Sequence, residues 1–325
     1  MRERLAAFDV GTNSTRLLVA DVDGDGIVAE HAREMVITRL GKGVDRTGRF
    51  DPGALARTLE VLAGYAETCR RLGVARRRLV ATSATRDAAD RRAFLDGVRD
   101  LLGVDAEVLT GREEAAAAYR GATAGGVRGG RAGPPGASDR EGDLSTLVVD
   151  IGGGSTELIL GDGRTARAMV SLDIGCVRLF ERHLHHDPPT AGETAALRAD
   201  VAAHLAEVAG VLDPAAADRV VGVAGTVTTV TAIALGLDAY DPRRIHRATL
   251  DAAEIAAVAD KLAAMTVAER AALPVMATGR EDVIAAGALL LDELVRRFGI
   301  RRVTASETDI LDGILLGLAE RPDGD

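Results

Sequence analysis

The feature that most constrains this chain is a repeated heptad. DVGTNST occupies positions 9–15 and DIGGGST positions 150–156, 141 positions later, each attached to an apolar run that reads as a β-strand. In both copies an aspartate ends the strand, a glycine-containing turn follows, and Ser-Thr opens the next strand. A chain built this way is two similar halves, each opening on the same hairpin. At 325 residues with 47 % apolar content, it can fill two buried cores.

Periodicity agrees with that division. Leu5–Val10, Thr15–Asp21 and Ile27–Thr38 read as three consecutive strands, followed by a helix over Pro52–Leu72 with proline in its first turn. A strand at Leu79–Thr82, a helix at Asp87–Leu102, a strand at Ala106–Leu109 and an alanine-rich helix at Glu113–Thr123 complete the first cycle. The stretch 125–142, GGVRGGRAGPPGASDREG, has no apolar period and reads as a loop or linker, with polyanion contact through Arg128, Arg131 and Arg140 as the minority reading. The cycle then restarts with strands at Leu147–Asp150, Thr156–Leu160 and Arg167–Ser171. Helices follow at Val177–Leu184 and Ala191–Leu212, then a strand at Arg219–Val223 and a helix at Val227–Leu235. The last segments read as helices over Ala252–Met265 and Glu281–Phe298, a strand at Val303–Ala305 and a helix at Ile310–Leu318. The expected domains are 1–124 and 143–325, with the terminal helix able to pack back on the first. Alternating α and β segments imply layered α/β domains with helices over a mixed sheet.

Bulk properties exclude several classes. A net charge of −9 and 2 % aromatics with no Trp remove the basic footprint and stacking platforms of a nucleic-acid binder. No run approaches the roughly 18–20 apolar residues of a membrane span, and the N-terminus enters a strand pattern directly. Cys69 and Cys176 lack metal-ligand spacing and read as buried small hydrophobes of a cytoplasmic protein. The histidines of HLHHD (His183, His185, His186) lack a second ligand group, so a metal there is the minority reading.

The heptad suits an oxyanion. Glycine lets a ligand approach the main chain, and successive N–H groups of a turn form an anion nest. The hydroxyls of Ser14, Thr15, Ser155 and Thr156 would add donors. Asp9 and Asp150 would repel a bare phosphate, so the pattern makes most sense with a divalent cation between, and magnesium prefers such oxygen ligands. An ordinary hairpin turn is the alternative for one copy and a poor account of two. The copies differ at one telling place: Arg16 aligns with Glu157. The arginine could hold phosphate or form a rim salt bridge, while the glutamate could orient water or a hydrated metal.

Six segments together, AAFDVGTNSTRLLVADV, ATSATRDA, GREEA, LVVDIGGGSTELILG, SLDIGCVRLFERHL and GREDVIAAGALLLDEL, resemble the exopolyphosphatase and guanosine pentaphosphate phosphohydrolase (Ppx/GppA) family from Leu5 to Leu318. The resemblance implies two ribonuclease H-like domains of the actin-like ATPase superfamily flanking a phosphate-binding cleft. It implies hydrolysis of a terminal phosphoanhydride of inorganic polyphosphate, with guanosine pentaphosphate as the alternative substrate. A small-molecule kinase and a noncatalytic sensor are the more distant readings. Glu114 matches the family's proposed base, Asp150 and Glu157 the acidic groups that position water or magnesium, and Asp9 the corresponding place in the first hairpin. Gly11, Thr12, Asn13 and Ser14, with Gly152, Gly153, Gly154, Ser155 and Thr156, match the phosphate loops. Arg86 matches a basic residue of the cleft, and Gly225 and Thr226 resemble a third glycine turn opening a helix. A homodimer is also implied. Longer relatives carry a further helical region, which makes short chains the expected preference here.

Overall fold

The computed structural model describes residues 2–24, 26–124, 144–163 and 165–321, so the expected 125–142 loop lies outside the described residues. The chain divides into two compact units, residues 1–142 with 308–325, and residues 143–307. The second unit thus ends at Glu307 rather than Asp325. The last helix, Ile310–Ala319, belongs to the first unit, where Ile310, Leu311, Ile314 and Leu315 share a core with Leu5, Ala7, Leu18 and Val80.

In the first unit the strands are β1 (Glu3–Val10), β2 (Ser14–Asp23), β3 (Gly26–Ile37), β4 (Arg76–Ala81) and β5 (Ala106–Val108), in the order β3-β2-β1-β4-β5. β2 runs antiparallel to both β1 and β3, while β4 and β5 run parallel to β1. β1 is buried from Leu5 to Val10, the uninterrupted apolar run expected of a strand covered on both faces. The helices Pro52–Leu72 and Arg92–Leu102 close one face through Leu62, Tyr65, Cys69, Phe94 and Val98, packed with Phe8 and Leu79.

The second unit repeats the plan with β6 (Ser145–Ile151), β7 (Thr156–Asp162), β8 (Thr165–Leu172), β9 (Arg219–Val223), β10 (Thr249–Asp251) and β11 (Arg302–Ala305), ordered β10-β11-β9-β6-β7-β8. Starting from β8, the first five strands reproduce the order of the first sheet, and β10 adds an antiparallel edge. Two mixed sheets of this shared order give the two similar halves that the doubled heptad implied and the ribonuclease H-like architecture that the family resemblance implied.

Two expected helices are shorter than their periodicity. Asp87–Leu102 is interrupted: Ala88 is extended, the Ala89 N–H donates to the Gly48 carbonyl at 2.9 Å, and Asp90 accepts from the Phe50 N–H at 3.1 Å. These bonds to residues some forty positions away outcompete the local helix, so helices form at Ser83–Asp87 and Arg92–Leu102. The helix from Ala191 ends at Ala206 and passes into a 3₁₀ turn at Val208–Gly210.

Candidate active site

Register makes the two hairpins equivalent. Asp9 pairs with Arg16 and Val10 with Thr15 across β1 and β2; Asp150 pairs with Glu157 and Ile151 with Thr156 across β6 and β7. Each turn is closed in the same way, by Gly11 N–H to the Ser14 carbonyl at 2.9 Å and by Gly152 N–H to the Ser155 carbonyl at 3.0 Å.

Main-chain direction decides what each turn can offer. In the first, the carbonyls of Thr12 and Asn13 accept from Gly41 N–H at 2.8 Å and Arg39 N–H at 2.9 Å. Across a trans peptide the C=O and the following N–H point oppositely, so the Asn13 and Ser14 N–H groups face away from the 39–41 segment. Gly41 makes this approach possible, since a Cβ there would lie 2.2 Å from Thr12 Cγ2. In the second turn the Gly152 carbonyl accepts from Cys176 N–H at 3.0 Å. That of Gly153 accepts from Val177 at 2.9 Å and Arg178 at 3.1 Å, and that of Gly154 from Arg178 Nε at 2.9 Å. Three successive carbonyls are therefore turned toward the helix Cys176–His183, and the N–H groups of Gly153, Gly154 and Ser155 are turned away from it. The helix N-terminus is satisfied by the turn and acts as its scaffold.

The hydroxyls contribute less than expected. Thr156 is fully buried and donates to the Ile174 carbonyl at 2.7 Å; Thr15 pairs with Thr38 at 2.9 Å, and Thr12 with Ser83 at 2.8 Å. Buried hydroxyls need partners, and here the fold supplies them. The threonines hold the turns.

Arg16 makes the salt bridge that was one of its two readings. Its Nε and Nη2 donate to Asp9 Oδ2 at 2.9 and 2.6 Å, and its Nη1 pairs with Asp309, the N-cap of the last helix. Despite burial, which opposes its charge, the carboxylates of Asp309 and Asp9 hold the guanidinium's pKa above the ordinary arginine value. Burial pushes the Asp9 carboxyl up, against the pull of Arg16. The guanidinium is thus held between two carboxylates of its own unit.

The two glutamates of GREEA divide their work. Thr110 and Glu113 form a capping box at the start of the helix Gly111–Thr123, with Thr110 N–H to Glu113 Oε2 at 2.8 Å. Glu114, one position on, is only 8 % exposed rather than a solvated first-turn carboxylate. Arg86 Nη1 reaches its Oε2 at 3.3 Å while donating to the Leu109 carbonyl at 2.7 Å. In the second unit Glu157 is 1 % exposed and accepts from Ser171 Oγ at 2.7 Å, and Asp150 is buried beside it.

The third glycine turn follows β9. Ala224 has φ 64°, and the helix Ala224–Ala234 begins with no side-chain cap at Val223. Gly225 is packed beneath the guanidinium of Arg280, whose Nη1 a Cβ would meet at 1.8 Å, while Arg280 donates to Thr229 Oγ1 at 3.1 Å. Thr226 is buried against Gly287. Arg280 and Asp309 were not among the expected site residues. A capping box is readable in DILD at 309–312, but the partners of both side chains are set by packing alone.

The donor chemistry at the hairpins fits magnesium. Asp9 Oδ1 and Asn13 Oδ1 are buried without hydrogen-bond partners, and such acceptors suit an oxygen-ligated cation. Arg16 already offsets the charge of Asp9, whereas the second hairpin has Glu157 in the arginine's place. Among the described residues no His/Cys/Asp/Glu group of three or more has metal-ligating geometry, and His183 and His186 instead bond Asp200 at 2.8 Å and Glu193 at 2.9 Å.

Two like-ordered sheets, each with a glycine-containing hairpin turn beside buried carboxylates, define a two-unit α/β protein of the ribonuclease H-like class. The Ppx/GppA phosphatase family model matches residues 18–321, and the chain belongs to that family. It is 45 % identical over 328 residues to exopolyphosphatase 2 of Mycobacterium tuberculosis, covering 97 % of this chain and 98 % of that protein. It is 34 % identical over 235 residues to the guanosine-5'-triphosphate,3'-diphosphate pyrophosphatase of Vibrio atlanticus, covering 72 % of this chain and 44 % of that protein. The crystal structure of an exopolyphosphatase-like protein superposes with a TM-score of 0.90 at 37 % identity, covering 98 % of both chains.

Proposed function

We propose that the protein is an exopolyphosphatase, hydrolysing the terminal phosphoanhydride of inorganic polyphosphate and releasing orthophosphate. The observation that carries this reading is the repeated turn whose N–H groups are directed away from the segments that hold its carbonyls, beside buried carboxylates. Identity with the mycobacterial exopolyphosphatase along nearly its whole length supports the choice of substrate.

In the proposed reaction water attacks the terminal phosphorus and Glu114 accepts its proton. The bond from that phosphorus to the bridging oxygen breaks, and orthophosphate and a chain one phosphate shorter leave. The N–H groups of Asn13 and Ser14 in the first unit, and those of Gly153, Gly154 and Ser155 in the second, are the donors each turn would offer to phosphate oxygens, and phosphoryl transfer depends on such stabilisation of charge. Arg86 fixes Glu114 and brings a cation beside it. Asp150 and Glu157 orient water. Magnesium, for which Asp9 in the first unit and Asp150 with Glu157 in the second are the candidate ligands, would supply positive charge against the phosphate oxygens. No nucleophilic Ser or Cys is needed.

Guanosine pentaphosphate hydrolysis is the second reading, favoured by the likeness to the Vibrio enzyme and by turns that read phosphate rather than base. Orthophosphate release from short polyphosphate, long polyphosphate and guanosine pentaphosphate, each with magnesium, separates the readings and tests the expected short-chain preference. Faster turnover of guanosine pentaphosphate than of either polyphosphate would reverse the order. Two free, buried cysteines accord with a cytoplasmic setting. No helix of the described residues is long and apolar enough to cross a membrane. The implied homodimer is testable by light scattering.

A further inference from the structure

The second unit contains a cavity of about 720 Å³ far from its hairpin. β9 and β11 are parallel neighbours that pair only at Val221 with Thr304 and Gly222 with Ala305. Continued toward their N-terminal ends, the register would set Arg219 opposite Arg302, and there the strands are no longer paired. The cavity opens around this gap, bounded by the turns at Pro214–Ala217 and Phe298–Arg301. Arg219 lies at the Thr146 position of β6 and Val223 at the Asp150 position. Four residues of strand, about 13 Å, therefore separate the cavity from the catalytic carboxylates.

Its charge runs against that of the chain. Three arginines line it, Arg219, Arg301 and Arg302, against one carboxylate, Asp218, in a protein of net charge −9. Asp218 accepts from the Ser145 N–H at 2.9 Å, and Arg219 Nε is oriented by Thr146 Oγ1 at 2.8 Å. Arg301 and Arg302 are exposed and make no ion pair among the described residues. The hydroxyls of Thr249 and Thr304 lie 3.0 Å apart on the same wall. Like charges set opposite one another on neighbouring strands are destabilising, and an anion between them reverses the sign. Guanidinium forks match phosphate oxygens in pairs, and the volume falls within the range of small-molecule sites, about 300–1,000 Å³.

We propose that this cavity is a second, noncatalytic anion site that binds a small oligophosphate between Arg219, Arg301 and Arg302. The shared chemistry is a run of about three phosphates, supplied by a free polyphosphate or by a nucleotide triphosphate. The site does not depend on the reaction assigned to the hairpins.

Hydrogen exchange of the full chain, with tripolyphosphate or ATP as probe, tests it by location. Either probe should slow exchange in peptides covering 214–221 and 298–304. The Arg301→Ala/Arg302→Ala variant changes two exposed side chains and keeps its circular dichroism spectrum. It should lose that protection, with binding at this site weakened by about tenfold or more, as expected when charged hydrogen bonds are removed. Protection by tripolyphosphate alone identifies a phosphate chain as the natural occupant, and protection by both probes admits nucleotides. No slowing with either probe, or slowing that persists in the double variant, overturns the proposal. Exchange at 11–15 and 152–156 reports the hairpins separately, so failure here is distinguishable from failure of the exopolyphosphatase reading.

Discussion

Gly175→Ala should disable the second anion turn without unfolding the protein. Gly175 has φ −159° and ψ 172°, extended backbone that alanine adopts freely, so only space opposes the change. A Cβ there would sit 2.5 Å from both the carbonyl carbon and oxygen of Gly153 and 2.7 Å from the Gly152 oxygen. Unstrained contact begins near about 3.5 Å, so turn and helix must part by about 1 Å. That movement falls on the carbonyls that hold the Gly153, Gly154 and Ser155 N–H groups outward. A misplacement of about 1 Å costs on the order of 10²-fold in rate. Overpacking should cost about 1–3 kcal/mol of stability, which leaves a folded protein with a lowered Tm. Steady-state orthophosphate release from tripolyphosphate gives the rate, and thermal unfolding the stability. Gly97→Ala is the control: its Cβ would meet Leu59 Cδ2 at 2.8 Å, the movable end of a side chain, and kcat should persist. A Gly175→Ala protein with near-wild-type kcat would refute the argument that the turn's exact direction matters.

Glu113→Ala removes half of a capping box and should lower stability by about 0.5–1 kcal/mol with turnover retained, read by thermal unfolding beside the phosphate assay. Glu193 accepts from His186 and from the Thr190 and His185 N–H groups, which hold its pKa down at about 2. Its contribution is therefore complete above the ordinary glutamate range and is lost as pH falls from there toward 2. Glu193→Gln should flatten that part of the acid-unfolding profile, and an unchanged profile would contradict the assignment. Burial pushes the Cys69 thiol up to about 11 and the Cys176 thiol above its ordinary value, although Cys176 begins a helix. Neither should react with iodoacetamide in the native protein at pH 7.5. Stoichiometric labelling before unfolding would contradict this.

The sequence was most readable where one local pattern does one job. The heptads announced two like hairpins, and an uninterrupted apolar β1 announced a strand covered on both faces. Pro52–Leu72 ends as read because Asp51 caps its start and Gly73, at φ 65°, closes it. The break after Asp87 was not readable, since Gly48 and Phe50 compete with the helix over a distance no local window spans. The last helix joins the first unit through apolar contacts distant in sequence. At the candidate site, residue types were legible and partners were not. Arg16 reads equally as a phosphate ligand or a salt-bridge partner, and its contact with Asp309, 293 positions away, is set by packing. Glu114 is singled out by the family resemblance alone, and its burial beside Arg86 is set by packing.

The central claim is that Glu114 takes the proton from water attacking a terminal phosphate. Orthophosphate release from short polyphosphate with magnesium, comparing wild type with Glu114→Gln, tests it most directly. The expected result is release by wild type and a loss of roughly 10²- to 10⁴-fold in kcat for the variant, with unchanged thermal unfolding. A folded Glu114→Gln protein that turns over at the wild-type rate contradicts the account.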